Sequence, residues 1–151
     1  HPFGTTMCVI RVTGQQVLDA LEWGARAVPS ENGGFLQVSG LTYEIHTGVA
    51  SSAEKDENGM FTRVSGEYRV KNVMVGGQPL ELDKTYTLAS HNYMLLGHGD
   101  GYTMFDGCEV LGEDMMVDNQ VLITYITTTL GGVVGEQYAN PYGDGRIVAV
   151  E

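Results

Sequence analysis

The pattern of apolar and polar residues predicts a strand near the start of the chain, followed directly by an amphipathic helix. Residues Met7–Val12 are rich in β-branched residues, which is typical of a strand. Thr13 is a candidate N-cap, and Gln16 three residues later completes a capping-box pattern. Pro29 then ends the helix. The apolar residues between these signals recur at helical spacing and are Val17, Leu18, Leu21, Ala25 and Val28.

Further strands follow, separated by turn residues and by one polar segment. Residues 48–59 are small, polar and acidic, which predicts an exposed loop. Gly76-Gly77 predicts a hairpin turn between the strands on either side of it. The predicted strands are Phe35–Val38, Leu41–Ile45, Tyr68–Val75, Thr85–Ser90 and Arg146–Val150.

A second helix is predicted late in the chain, with Asp118 as its cap and Gly131-Gly132 at its end. Its apolar residues recur at helical spacing and are Val121, Leu122, Tyr125, Ile126 and Leu130. Two helices among several strands indicate an α/β or α+β domain. The length of 151 residues fits a single domain, covering residues 1–151.

Composition narrows the functional classes. The formal net charge of −11 argues against nucleic acid as a partner, because such proteins carry basic stripes. No apolar run approaches the roughly 20 residues of a membrane span, and we find no signal-peptide pattern in this sequence. Cys8 and Cys108 fit no metal-binding spacing, and Cys8 is expected to be a buried, inert thiol.

The inventory of catalytic motifs is short. The chain has four histidines, and they form none of the Asp-x-His, Gly-Asn-His or Gly-His-x-His patterns of a two-metal phosphoesterase. A nucleophile elbow and a phosphate-binding P-loop are also absent. We therefore expect no metal, no cofactor and no catalytic residue in this chain, and no activity from the chain alone.

The segment Ser90–Tyr102 is the strongest candidate for a binding site. It places the ring of Tyr93 a few residues ahead of a glycine-dense loop that holds one carboxylate, Asp100. Glycine allows close approach of the backbone to a ligand, and a ring with one carboxylate suits a nucleoside. Phe3, beside Gly4, supplies a second ring that could clamp the same base. Turn formation and core packing remain the alternative explanations for these residues.

Several segments occur in a fixed order along the chain. They are Pro2-Phe3-Gly4, the helix start at Thr13–Glu22, Gly33–Tyr43, Val73–Leu80, Asp83–Ser90 and the glycine loop. In this order they resemble the C-terminal, substrate-recognition domain of the 5′-nucleotidase family, which includes the UDP-sugar hydrolases. The resemblance covers essentially the whole chain. It implies a mixed-sheet α/β fold with four layers in the order α/β/β/α.

The resemblance also implies roles for individual residues. Phe3 and Tyr93 would be the two plates that sandwich the base, with Met94 as the fallback for the second plate. Asp100 would hydrogen-bond the ribose hydroxyls. The loop Gly97-His98-Gly99-Asp100 is one residue longer than the family's Gly-Gly-Asp pattern.

Two further positions match residues that contact the base. Thr5 lies where some members of the family have an asparagine at the base edge, so base selectivity is expected to differ here. Gly33 matches a glycine whose backbone lies against the base, whereas Phe35 is expected to pack in the core. The arginines of this chain match none of the family's phosphate ligands and are interpreted as surface charges.

The implied partners are a mononucleotide or nucleoside and a metallophosphoesterase domain that would precede this chain in the same polypeptide. That domain, expected to be absent here because the chain begins within a motif, would hold two divalent metal ions. An extracellular, periplasmic or cell-surface location is expected. Two alternatives remain: a 2′,3′-cyclic-nucleotide phosphodiesterase/3′-nucleotidase or UDP-sugar hydrolase on the same scaffold, and a non-catalytic adhesive module that has lost the nucleoside site.

Overall fold

The computed structural model describes residues 1–151, which form three β-sheets and few helices. The strands are β1 Met7–Thr13, β2 Leu41–His46, β3 Ala53–Lys55, β4 Phe61–Val64, β5 Val70–Val75, β6 Gln78–Pro79, β7 Thr85–His91, β8 Glu109–Gly112 and β9 Ile147–Val150. The α-helices are α1 Gly14–Ala25, α2 Asn92–Leu95 and α3 Asp118–Thr124. A π-helix spans Tyr125–Thr129, and 3₁₀ turns span Gly99–Gly101, Thr103–Phe105 and Glu136–Tyr138.

The first sheet has the order β7-β1-β8 and is antiparallel throughout. Its central strand is β1, in which Cys8, Ile10 and Val12 are buried. Alternate residues of a strand point to the same face, so these three form the inner face of the sheet. The predicted burial of Cys8 is confirmed, and both cysteines are free thiols.

The second sheet has the order β6-β5-β2-β9 and is mixed, because β2 pairs antiparallel with β5 and parallel with β9. The third sheet is the two-stranded hairpin β3-β4. Helix α1 lies against both large sheets through β1 and β5. The mixed-sheet α/β architecture expected from the sequence is confirmed.

Helix α1 begins with the predicted capping box. The amide of Gln16 donates to Thr13 Oγ1 at 3.2 Å, and the amide of Thr13 donates to Gln16 Oε1 at 2.9 Å. The helix ends at Ala25, where the buried guanidinium of Arg69 donates to the carbonyls of Ala25 at 3.2 Å and Val28 at 2.8 Å. A cation at a helix C-terminus satisfies the last carbonyls and complements the helix dipole. The interpretation of Arg69 as a surface charge is therefore wrong.

Three sequence predictions about strands are also wrong. Gly76-Gly77 forms a tight turn, but it joins β5 to the two-residue strand β6, while β7 belongs to the other sheet. Residues 35–38 form no strand. The polar segment 48–59 contains β3, which pairs with β4 and therefore belongs to a hairpin. In each case the local pattern was correct about turns or polarity, and the pairing partner was set by tertiary contacts.

The last third of the chain differs in packing from the rest. Helix α3 has no buried residue, and its N-cap is Val117, so Asp118 is the first helical residue instead of the cap. All 23 buried residues of the chain lie between Cys8 and Phe105. The accessible surface of 9116 Å² exceeds the roughly 7,500 Å² expected of a monomer of this mass. Residues 108–151 are thus attached to the folded core without adding a buried residue to it.

None of the helices is long and apolar enough to cross a membrane.

Candidate functional site

The glycine loop follows the short helix α2 and is tightly bent. The imidazole Nδ1 of His91 caps α2 by accepting from the amide of Met94 at 3.3 Å. Beyond the helix, His98 and Asp100 both adopt left-handed backbone conformations, each with a φ of 54°. A non-glycine residue in this region is strained by about 1–3 kcal/mol and persists only where its surroundings hold it. Two such residues in one short loop mark it as a candidate functional site.

The ring of Tyr93 lies directly on this loop. A Cβ atom placed on Gly99 would lie 2.2 Å from Tyr93 Cε1, so only glycine allows the ring to pack there. The side chain is nevertheless 49% exposed, and its hydroxyl lies 3.5 Å from Asp100 Oδ1. Met94, the fallback for the second plate, is buried and therefore cannot stack on a ligand.

Asp100 is held from below by helix α1. The indole Nε1 of the buried Trp23 donates to the carbonyl oxygen of Asp100 at 2.9 Å. The side chain of Asp100 packs against Gly34, where an added Cβ would approach its Cβ to 2.9 Å. Asp100 itself is exposed. Its backbone is therefore fixed by the core while its carboxylate stays free to accept hydrogen bonds from a ligand.

The turn around Gly33 completes this side of the site. Asn32 Nδ2 donates to the Gly24 carbonyl at 3.0 Å, and Asn32 Oδ1 accepts from the Gly34 amide at 3.2 Å. Gly33 is exposed, and no atom lies within 4 Å of the position that its Cβ would take. The structure thus brings Gly33, Tyr93 and Asp100 to one surface. Phe35 packs against the core, as expected.

Arg26 is a cation next to this surface. Its guanidinium lies 3.7 Å from the centre of the Trp23 ring, and its Nη1 donates to the Trp23 carbonyl at 2.6 Å. Burial lowers the pKa of Arg26, and the nearby Tyr102 and Asp100 oppose that shift. Arg26 is half-buried and stacked, so its interpretation as a surface charge is also wrong.

The N-terminal segment reaches the same region through backbone pairing. The amide of Asn92 donates to the Thr6 carbonyl at 2.8 Å, and the amide of Thr6 donates to Asn92 Oδ1 at 3.2 Å. Asn92 directly precedes Tyr93, and its partner Thr6 lies three residues after Phe3. Its ring is 87% exposed and stacks on no other ring of the chain.

Thr5 is bound to the beginning of helix α3. Its hydroxyl donates to Asp118 Oδ2 at 3.0 Å, and its carbonyl accepts from the Asp118 amide at 2.9 Å. The imidazole Nδ1 of His1 lies 3.0 Å from the same carboxylate oxygen. Asp118 thus binds both His1 and Thr5 of the N-terminal segment.

No group of three or more histidine, cysteine, aspartate or glutamate side chains lies close enough together to hold a metal ion. A mostly apolar cavity of about 710 Å³ lies between α1, β1 and β7, and none of the five predicted binding residues lines it. The candidate site is therefore an open surface that holds the Tyr93 ring, the Asp100 carboxylate and the turn at Gly33.

Sequence reasoning missed the residues that support this surface, namely Trp23, Arg26, Asn32, Gly34 and Asp118. The single tryptophan of the chain was the one available signal for a buried residue with a polar contact, and it lies on the opposite side of the helix from the apolar stripe. Nothing in the sequence indicates that its indole N–H meets the glycine loop.

Comparisons with known proteins identify the family of this chain. The family described as "5'-nucleotidase, C-terminal domain" matches residues 1–107. The chain is 31% identical, over 99% of its length, to the trifunctional nucleotide phosphoesterase protein YfkN of Bacillus subtilis, of which it covers 9%. It is 28% identical to a 5'-nucleotidase of Vibrio vulnificus over 83% of this chain and 19% of that protein.

The solved structures give the same result. A 5'-nucleotidase precursor from Thermus thermophilus superposes with a TM-score of 0.75 at 28% identity, covering 99% of this chain and 26% of the other. A putative 5'-nucleotidase from Staphylococcus aureus, with a TM-score of 0.67 at 23% identity, covers 99% of this chain and 28% of that one and shares the fold. The chain thus spans less than a third of each of these relatives. It belongs to the 5'-nucleotidase family, and it corresponds to the C-terminal domain of that family.

Proposed function

We propose that this chain is the nucleoside-recognition domain of an extracellular bacterial 5′-nucleotidase-like phosphoester hydrolase. Tyr93 and Phe3 stack the two faces of the base, and Asp100 holds the ribose. The observation that carries the proposal is the exposed ring of Tyr93, fixed over Gly99 beside an exposed carboxylate whose backbone is held by Trp23.

The stacking role follows from exposure and support together. The rings of Tyr93 and Phe3 are 49% and 87% exposed, so both are accessible to a ligand. Stacking of one base on an aromatic side chain contributes about 1–3 kcal/mol and tolerates any base. The Tyr93 ring is already immobilised by its loop, so it loses little freedom on binding.

The ribose role falls to Asp100. An ionised carboxylate can accept hydrogen bonds from two hydroxyl groups, and such charge-assisted bonds are about twice as strong as neutral ones. In this proposal the backbone of Gly33, which is exposed on the same surface, lies against the base.

The reaction itself belongs to another part of the polypeptide in this proposal. A preceding metallophosphoesterase domain supplies two divalent metal ions, which polarise the phosphoester and activate water. The domain described here binds the nucleoside portion of the substrate, remote from the reacting bond, and positions the ester. A location outside the cytoplasm is supported by the similarity to a cell wall protein of Listeria monocytogenes, at 29% identity over 83% of this chain.

Titration of this chain with adenosine, uridine and 2′-deoxyadenosine, followed by two-dimensional amide NMR, tests the proposal. We expect saturable shifts at Phe3, Tyr93 and the Asp100 loop, with weaker binding of the deoxynucleoside. Affinity should be low, in the roughly high-micromolar to millimolar range, because the phosphate contacts are missing. Shifts that do not saturate, or that fall away from these residues, would contradict the assignment.

Tyr93→Ala in the parent hydrolase separates substrate binding from chemistry. We expect nucleotide hydrolysis to fall by about tenfold or more in kcat/KM, because one stacking plate is lost. Hydrolysis of a small aryl phosphate should stay within about twofold, since that substrate has no base to stack. Tyr138→Ala is the matched control, because Tyr138 is 48% exposed, as Tyr93 is, and its hydroxyl pairs with that of Tyr125 in the last third of the chain. Equal losses on both substrates would refute the stacking role.

The similarity to a trifunctional nucleotide phosphoesterase favours a second candidate. On the same scaffold the parent protein would be a 2′,3′-cyclic-nucleotide phosphodiesterase with 3′-nucleotidase activity, or a UDP-sugar hydrolase. A panel of 5′-nucleotides, cyclic nucleotides and UDP-sugars distinguishes these. An adhesive module that has lost the site would show no saturable nucleoside binding at all.

A further inference from the structure

Helix α2, which carries Tyr93, is capped by a histidine. The side chains that most often cap a helix are those of serine, threonine, asparagine and aspartate, whose oxygen accepts from a free backbone amide. Here the acceptor is His91 Nδ1, and the donor is the Met94 amide at 3.3 Å. Because Nδ1 accepts this bond, the ring is neutral and carries its proton on Nε2.

His91 also lies beside the ring to which we assign base stacking. The centres of the His91 and Tyr93 rings are 6.0 Å apart, and the two planes are inclined by 28°. The Tyr93 ring also packs against Gly99. Two neighbours therefore hold this ring, and one of them belongs to the residue type that changes its charge near neutral pH.

Protonation of His91 removes the cap. An imidazolium carries a proton on both nitrogens and has no acceptor, so its Nδ1–H would face the N–H of Met94. The ring then has to turn away from the amide, and it leaves the Tyr93 ring as it turns. Serine, threonine or asparagine at this position would keep its acceptor, because none of these side chains titrates near neutral pH.

His91 has no carboxylate partner that would bind its proton in place. The chain has four histidines, and the other three each lie within 4.0 Å of a carboxylate oxygen. These three are His1, His46 and His98. A proton on His91 would therefore gain no ion pair to offset the lost cap.

The other titratable groups near α2 are directed elsewhere. The elements that pack against α2 are β1, β7 and the turn Gly99–Gly101, and Thr6 connects Asn92 to the segment before α3. Cys8 and Tyr86 alternate with His91 in the first sheet and lie on its other face. Arg11 pairs with Glu109 at 3.2 Å, and Asp114 accepts from the Thr6 hydroxyl. Asp100 Oδ1 lies 3.5 Å from the Tyr93 hydroxyl.

We propose that His91 is a positioning residue whose neutral ring holds Tyr93 in place, so that this site binds nucleosides less tightly once His91 is protonated. The inference rests on the proposed function, because it concerns the ring that stacks the base. His91 itself touches no ligand. Binding is strongest on the alkaline side of the range of about pH 5–8, where imidazole is neutral, and weakens towards the acidic side.

Adenosine binding to the 151-residue chain, measured by amide NMR at about pH 8 and about pH 5.5, tests this inference. We expect the affinity to be lower at the acidic pH by about threefold or more, the range of a lost cap. Without nucleoside, the Met94 amide should shift with pH in step with the His91 ring. In His91→Asn the carboxamide oxygen caps α2 at both pH values, so the affinity should be the same at both. His91→Ala lacks the acceptor and should bind weakly at both.

Two other histidines provide the comparison variants. His46 lies on β2 in the other large sheet and pairs with Glu44 at 3.0 Å, so His46→Asn should keep the pH dependence of the unaltered chain. His98 is the rival group, because it lies in the glycine loop, with Nε2 3.7 Å from Asp106 Oδ1. A pH dependence that persists in His91→Asn and disappears in His98→Asn would overturn the role of His91.

The failures of the two proposals differ. If adenosine binds equally well at both pH values and Tyr93→Ala weakens it, the inference about His91 is overturned while the nucleoside site stands. A Met94 amide that does not follow the His91 ring also overturns the inference. If adenosine binds at neither pH, the proposed function fails, and the role of His91 in binding falls with it.

Discussion

The two sides of the candidate site are built in opposite ways. Tyr93 and Asp100 are attached to the folded core. The ring of Tyr93 packs on Gly99, and the buried Trp23 donates a hydrogen bond to the backbone carbonyl of Asp100. Phe3 and Thr5 stand on an exposed segment that is tied to Asp118, in the third of the chain where no residue is buried. One side is fixed before a ligand arrives, and the other is held by a few polar contacts.

This difference separates affinity from selectivity. In the proposed nucleoside site, a ring and a carboxylate that are fixed in advance would bind any nucleoside with little loss of conformational freedom. Hydrogen bonds on the exposed side contribute less to stability, and they are the ones that can vary between bases. We therefore expect changes on the Asp100 side to affect all nucleosides and changes on the Phe3 side to affect their ranking.

The largest expected effect tests whether the two regions differ in packing. Ile10→Ala, at a fully buried position of β1, should lower the free energy of unfolding by about 2–5 kcal/mol. Leu122→Ala in α3, where the side chain is 48% exposed, should cost less than about 1 kcal/mol. Urea unfolding of the two variants measures both. A similar loss of unfolding free energy in the two variants would show that α3 is packed in solution, and the two regions would then not differ in packing.

A smaller effect is expected at the support of Asp100. Trp23→Phe keeps a ring in place but removes the indole N–H, leaving the Asp100 carbonyl without its donor, and should cost about 1–3 kcal/mol of stability. The preference for adenosine over 2′-deoxyadenosine should fall as well, because Asp100 is no longer held. The ratio of the two affinities is the decisive measurement.

Phe61→Leu is the control for Trp23→Phe. The Phe61 ring packs edge-on against Trp23, with 5.7 Å between ring centres, while the indole N–H is directed to the Asp100 carbonyl. This variant should lower stability in the same range and leave the ribose preference intact. Loss of that preference in both variants would mean that Trp23 acts through packing alone.

The smallest expected effect is a pH dependence next to this support. Burial raises the pKa of Glu22 above its ordinary value of 4.5, and bonds from the Val70 and Arg69 amides, with the charge of Arg69, oppose the shift. The unfolded chain ionises at the ordinary value. The contribution of Glu22 to stability is therefore complete below that pH and is lost as the pH rises through the raised pKa.

Glu22→Gln should flatten this part of the stability profile. The measurement is the difference in unfolding free energy between the unaltered chain and the variant from about pH 4 upwards. Glu57→Gln, at an exposed position in the loop before β4, should give a profile parallel to that of the unaltered chain. Parallel profiles for both variants would show that Glu22 does not titrate differently in the folded state.

The sequence predicted the features that local chemistry determines. The Thr13–Gln16 capping box, β1 and β2 depend on neighbouring residues and appear as predicted. The sequence predicted the strand at Thr85–Ser90 as the partner of β5, but the partner is β6, since Gly76-Gly77 determines only the turn. The support of Asp100 by Trp23 joins residues 77 positions apart, and no periodic pattern reports such a contact.

The position of β8 and β9 has a consequence for where this domain ends. β8 covers one edge of β1, and β9 covers one edge of β2, so the last third of the chain supplies an outer strand to each large sheet. Without residues 108–151, both strands would present unpaired amides and carbonyls, which are templates for pairing with other chains. The family match ends at residue 107, but a fragment cut there would be prone to self-association. A region without a single buried residue thus pairs with one strand edge in each large sheet and supplies a short outer strand in its place.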